Sequence, residues 1–101
     1  MHVVLYRFEV KPGLEDQFLQ AWNDLTQLIY THENSRGSRL HKERGQTYIA
    51  YAAWPDKNTF KNAGGNLPER AEGLRKAMRE SCSSIEVLHE LEVVSDLLAS
   101  L

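Results

Sequence analysis

Residues 3–22 read VVLYRFEVKPGLEDQFLQAW, and the fold is decided there. The stretch opens as a strand. Val4, Tyr6, Phe8 and Val10 fall on one side of an extended chain, and Val3, Leu5, Arg7 and Glu9 fall on the other. The first side is wholly apolar; the second is apolar at one end and charged at the other. Lys11-Pro12-Gly13 stops the strand, because proline donates nothing to a sheet ladder and glycine permits a sharp change of direction. A helix follows at once. Leu14, Phe18, Ala21, Trp22, Leu25, Leu28 and Ile29 recur at three- and four-residue spacing and make one apolar stripe. Glu15 and Asp16 sit in its first turn, where carboxylates suit the helix dipole.

Past Thr31-His32-Glu33 the stripe fades into the turn cluster Asn34-Ser35-Arg36-Gly37. Residues 38–44 form a polar second strand, and Gly45-Gln46 is the hairpin turn to a stronger third strand at 46–54. TYIAYAAW, residues 47–54, carries no charge and belongs centrally in a sheet; its Ala50, Ala52 and Ala53 leave room above the backbone. Asp56 caps a short helix through Phe60. After the breaker cluster at 62–66, Pro68 starts a second main helix over 68–82 with Leu67, Ala71, Leu74, Met78 and Cys82 on its buried side. Gly73 inside it leaves space for close packing or a ligand. A last strand, 85–94, alternates Ile85, Val87, His89, Leu91 and Val93 with an acidic outer face. The tail, residues 95–101, is rich in leucine.

The order β-α-β-β-α-β predicts a single α+β domain over residues 1–101 with the ferredoxin-like arrangement: a four-stranded antiparallel sheet with helices on one face. Helices cover only one face, yet the strands are apolar on both. The second face therefore needs a partner, expected to be a second copy, with the tail at 95–101 packed on the dimer.

The chain has 101 residues, enough for one core, and a formal charge of −2 with its signs interspersed. That balance argues against a nucleic-acid partner. A single cysteine, Cys82, excludes an internal disulfide and fits a reducing compartment. MHVVLYRFEV lacks the basic start of a signal peptide, and no apolar run approaches the ~20 residues of a membrane span. A cytoplasmic protein with no membrane association is expected.

The opening strand, Val10-Lys11-Pro12-Gly13 followed by acidic helix residues and Phe18, Gly37-Ser38, and Tyr51-Ala52-Ala53-Trp54-Pro55-Asp56 together resemble the antibiotic biosynthesis monooxygenase family. The resemblance covers roughly residues 1–95 in element order. It implies a dimeric α+β barrel, two sheets face to face, and a pocket between sheet and helices. It also implies a cofactor-independent monooxygenase for a small electron-rich, quinol-like aromatic. The family's other members leave two alternatives open: a non-catalytic, dimeric small-molecule-binding or stress-related module, and an isomerase. Haem-degrading members carry Asn on the first strand and Trp and His on the second main helical region. Here the first position is Tyr6, and residues 58–81 contain neither Trp nor His, so haem cleavage is not expected.

The four histidines, His2, His32, His41 and His89, show no metal-ligand spacing. His2, His32 and His41 read as surface residues. His89 reads either as a hydrogen-bonded packing residue or as a general base near neutral pH. Tyr6, Tyr48, Tyr51, Trp22 and Trp54 are core aromatics or, with the small alanines, a pocket lining. Arg39, Lys42 and Arg44 read as a solvated edge or an anion contact. There is no phosphate loop, no GxSxG, and no cofactor- or metal-binding set. The expected ligand-binding group is Tyr6, Trp22, Trp54 and His89, with catalytic residues unassigned.

Overall fold

In the computed structural model, which describes residues 1–99, β1 (His2–Val10) lies inside the sheet. It pairs antiparallel with β3 (Thr47–Trp54) on one side and with β4 (Cys82–Glu92) on the other. The polar β2 (Gly37–Arg44) pairs with the far side of β3, giving the antiparallel order β2-β3-β1-β4. The uncharged β3 is central and the charged β2 is an edge, as their compositions predict.

Helix α1 (Glu15–His32) buries Phe18, Ala21, Leu25 and Leu28, four residues of the stripe read from the sequence. Phe18 is fully buried and packs between Phe8 at 5.1 Å and Tyr48 at 5.3 Å, ring centre to ring centre. Burying one such side chain contributes about 1.5–3 kcal/mol. Val10, Ala50 and Cys82 complete that cluster, so Val4, Tyr6, Phe8 and Val10 do face the helices. Asp56 caps the short α2 (Lys57–Lys61), accepting from the Thr59 N–H at 2.7 Å.

The second main helix begins later than predicted. Glu69 and Arg70 form a turn closed by the Ala71 N–H donating to the Pro68 carbonyl, and α3 (Ala71–Ser81) follows, with Ala71 packed beside Leu25 and Leu28. Gln17 on α1 donates to Ser81 Oγ at 3.0 Å, which ties the two helices together. β4 starts at Cys82, directly after α3, and ends at Glu92; the expectation was 85–94. The early start follows from two register shifts on β4, one opposite Glu9/Val10 and one opposite Leu5/Tyr6. Each inserts a residue that strand alternation alone does not announce. Residues 93–99 have no regular structure, and Leu101 lies outside the described residues. The Val93 N–H donates to the Met1 carbonyl at 3.0 Å, after which Val94, Leu97 and Leu98 are exposed.

Candidate functional site

Tyr6 projects from the middle of β1 toward the helices. Its ring lies 6.2 Å from Phe8 and packs on the sheet-side cluster together with Trp22 and Met78. Burial pushes the Tyr6 phenol up, and the negative charge of Glu90 adds to that. At neutral pH the side chain is therefore a neutral hydroxyl, a hydrogen-bond donor rather than a base.

Two members of the same cluster, Met78 and Cys82, also line a cavity of about 530 Å³ between α3 and the start of β4. Leu25, Ile85, Arg75 and Arg79 line it too. Burial pushes the Cys82 thiol up to about 11, so it is inert as a nucleophile near neutral pH. Both arginines approach Glu72, at 3.8 Å and 3.7 Å, so their charge is partly matched.

At the other end of the helix-facing side, Trp54 closes β3. It is 5% exposed, its ring lies 5.6 Å from Phe60, and its buried indole Nε1 has no acceptor among the described residues. Phe60 in turn lies 5.5 Å from the ring of His2. His2, expected at the surface, is 7% exposed. Its Nε2 meets Glu90 Oε1 at 3.2 Å. The signal was present: stepping back by two from Val4 and Tyr6 places His2 on the same face of β1. Glu90 was expected on an acidic outer face, but the register sets it opposite Val4, on the helix-facing side.

His89 does not join Tyr6. Val87 is the partner of Tyr6, Leu88 is the extra residue, and His89 is the partner of Leu5. The bulge turns Ile85 and Val87 toward the helices, and His89 and Leu91 toward the opposite face. The four residues expected in one site are thus distributed: Tyr6 and Trp22 each pack on the Phe8–Phe18–Tyr48 cluster, Trp54 lies farther along the same face, and His89 lies on the other face and is exposed.

That other face is open. Its apolar end carries Leu5, Tyr51, Ala53 and Leu91, and its charged end the Arg7–Glu86 ion pair at 2.7 Å. A cavity of about 440 Å³ there is bordered by Arg39, His41, Tyr51 and Ala53, and by Leu98 of the tail. The positive residues read from β2 split: Arg39 lies opposite Tyr51 on this face, and Lys42 lies over the Tyr48 ring on the helix side, 5.9 Å from its centre. A third hollow, about 560 Å³, lies between α1 and α3 beside Gly73, where no atom approaches the position a side chain would take. Among the described residues no three His, Cys, Asp or Glu side chains are grouped to hold a metal ion. None of their helices is long and apolar enough to cross a membrane.

A two-layer α+β unit with an antiparallel β2-β3-β1-β4 sheet and an aromatic-lined helix side defines the class. The family model for antibiotic biosynthesis monooxygenases matches residues 1–67, and the chain belongs to that family. Among solved structures it is similar to SnoaB, a cofactor-independent oxygenase from Streptomyces nogalater, at 18% identity over 95% of each chain with a TM-score of 0.76. It is similar to Rv0793 from Mycobacterium tuberculosis at 14% identity, covering 93% of this chain and 98% of that one, with a TM-score of 0.69. It is also similar to NE2512 from Nitrosomonas europaea, a protein of unknown function, at 17% identity, covering 98% and 94%, with a TM-score of 0.74. At these identities the likeness is one of fold. No curated protein matches the sequence.

Proposed function

We propose that this protein is a cofactor-independent oxygenase for a small, electron-rich, quinol-like aromatic, working as a cytoplasmic homodimer. The observation that carries the reading is the environment of Tyr6: a protonated hydroxyl packed on an aromatic and aliphatic cluster, of which Met78 and Cys82 line a cavity of about 530 Å³ that Tyr6 itself does not border. A deprotonated quinol delivers an electron to oxygen directly, so the protein needs to hold the ring, exclude water and donate to the oxygen that gains charge. Trp22 supplies an apolar wall and Tyr6 the donor. Membership of the family and the fold of SnoaB support the reading.

Oxygen consumption across a panel of quinols and polyphenols tests it. Turnover is expected for at least one compound, and Tyr6→Phe should lower it by roughly 10²-fold with the fold intact. A specific observation favours a second reading, a non-catalytic aromatic-binding module: Cys82, which lines the 530 Å³ cavity, and Tyr6, on the adjoining cluster, are both held protonated, so neither can take the substrate's proton. Melting temperatures raised by aromatic ligands, with no oxygen consumed by any of them, would select that module. Conversion of a compound without oxygen uptake would select the isomerase alternative instead.

A further inference from the structure

The proton acceptor missing beside Tyr6 is present elsewhere on the same face of the sheet. His2, Val4 and Tyr6 alternate along β1, and Glu90 stands across from Val4 on the neighbouring strand. Glu90 thus sits between the two: its oxygen meets His2 Nε2 at 3.2 Å, and its charge is felt at the Tyr6 hydroxyl. An ionised carboxylate only accepts, so in the neutral imidazole Nε2 carries the proton of that bond and Nδ1 the lone pair. Among the described residues Nδ1 has no hydrogen-bond partner, whereas the Nε2 side is fixed. His2 also borders a cavity of about 320 Å³ with Pro55, Lys57 and Glu92. Trp54, directly across from His2 in the β1–β3 register, holds a buried N–H with no acceptor among the described residues.

We infer that His2, oriented by Glu90, is a general base for a small aromatic carrying an acidic phenolic hydroxyl. In the step, the phenol O–H bond breaks and an N–H bond forms at His2 Nδ1. The electron pair stays on the phenolate oxygen, and the imidazolium is countered by Glu90. Lys57 adds positive charge near the phenolate. Asp56 also borders the cavity, but its carboxylate is engaged by Thr59. The inference rests on the reading of the helix-facing side as one that takes phenolic aromatics, and it places the proton transfer in the cavity beside His2, at the opposite end of β1 from the Met78–Cys82 cavity.

The probe is para-nitrophenol, titrated into the full chain, with nothing added before Met1, at a pH below the phenol's own pKa. The native protein should bind it and raise the visible phenolate band. His2→Gln should reduce that band about tenfold or more at saturating ligand. Glu90→Gln should reduce it less and Glu90→Asp should restore much of it, which a merely structural role for Glu90 would not produce. Circular dichroism and melting curves establish that each variant is folded, and a histidine-detected NMR titration of native protein with the probe gives a variant-free check: His2 must be the ring that responds. A phenolate band unchanged in folded His2→Gln, or a His2 resonance indifferent to bound probe, overturns the inference. The readout requires no turnover. Failure of oxygen consumption with an intact His2-dependent band sinks the oxygenase reading alone, and the reverse pattern sinks the base alone.

Discussion

Glu33 and Asn66 hold each other from two sides: Glu33 Oε1 accepts from the Asn66 side-chain amide at 3.0 Å, and Oε2 accepts from its backbone N–H at 3.2 Å. Gly64 donates a third N–H to the same carboxylate. Glu33 directly follows α1 and is 6% exposed, so one carboxylate pins the whole glycine-bearing loop that leads to α3.

The pH dependence of that latch has a definite sign. Burial pushes the Glu33 carboxyl up, but the hydrogen bonds from Asn66 and Gly64, helped by Arg75, outweigh it and leave it below its ordinary value. A lowered folded value means the stabilisation is fully present above the unfolded carboxylate pKa of about 4.3. It is lost as pH falls through the folded value. Amide exchange at Gly64 and Asn66 should accelerate there, and Glu33→Ala should cost on the order of 2 kcal/mol at neutral pH by leaving buried donors unpaired. Exchange rates at both amides unaffected by the substitution would refute the latch.

Phe18→Ala should be the most damaging single truncation on α1. The side chain is fully buried between two aromatic rings, and neither Phe8 nor Tyr48 can close the gap without leaving the sheet. A loss of about 3–5 kcal/mol is expected in urea unfolding. A loss below about 1 kcal/mol would mean that the sheet and helix collapse onto each other more freely than this packing implies.

His89→Ala, by contrast, should leave aromatic binding on the helix-facing side unchanged, because the bulge at Leu88 carries His89 to the other face. Calorimetric titration with the best ligand checks this. A tenfold weakening in a folded His89→Ala variant would require the second face to reach the same ligand.

The difference between His2 and His89 shows where legibility in the sequence ended. Strand periodicity alone placed Val4, Tyr6, Phe8 and Val10 correctly, and the helix stripe placed Phe18 and Leu25, because both patterns are enforced by one buried face. The same rule, extended across β4, joined His89 to Val87; one inserted residue reverses every face beyond it. No residue type marks that bulge, since Val87, Leu88 and His89 all fit a regular strand. His2 was legible by alternation, but its burial depends on Phe60 and Glu90, which are 58 and 88 residues away in sequence. Contacts that distant leave no local trace.

The second copy should dock on the apolar end of the open face. At the charged end, Arg7 Nη2 is paired with Glu86 and Glu9 accepts from Thr47 at 2.8 Å, so these charges are matched within one chain, although Arg7 Nε has no acceptor among the described residues. At the other end Leu5 and Tyr51 are half-buried and Leu91 is 45% exposed, with only the tail near Leu98 passing beside them. A stable dimer buries about 1,200–2,000 Å² in total, and an apolar centre with a paired-charge rim suits it. Leu5→Lys places an ammonium in that centre while leaving the helix side of β1 untouched. Sedimentation at micromolar concentration should give about twice the 11.6 kDa chain mass for the native protein and the monomer mass for Leu5→Lys. The variant should keep its secondary structure, because Leu5 contributes nothing to the Phe8–Phe18–Tyr48 packing. A native protein that sediments as a monomer would refute the dimer. A folded Leu5→Lys variant that remains dimeric would move the interface to another surface.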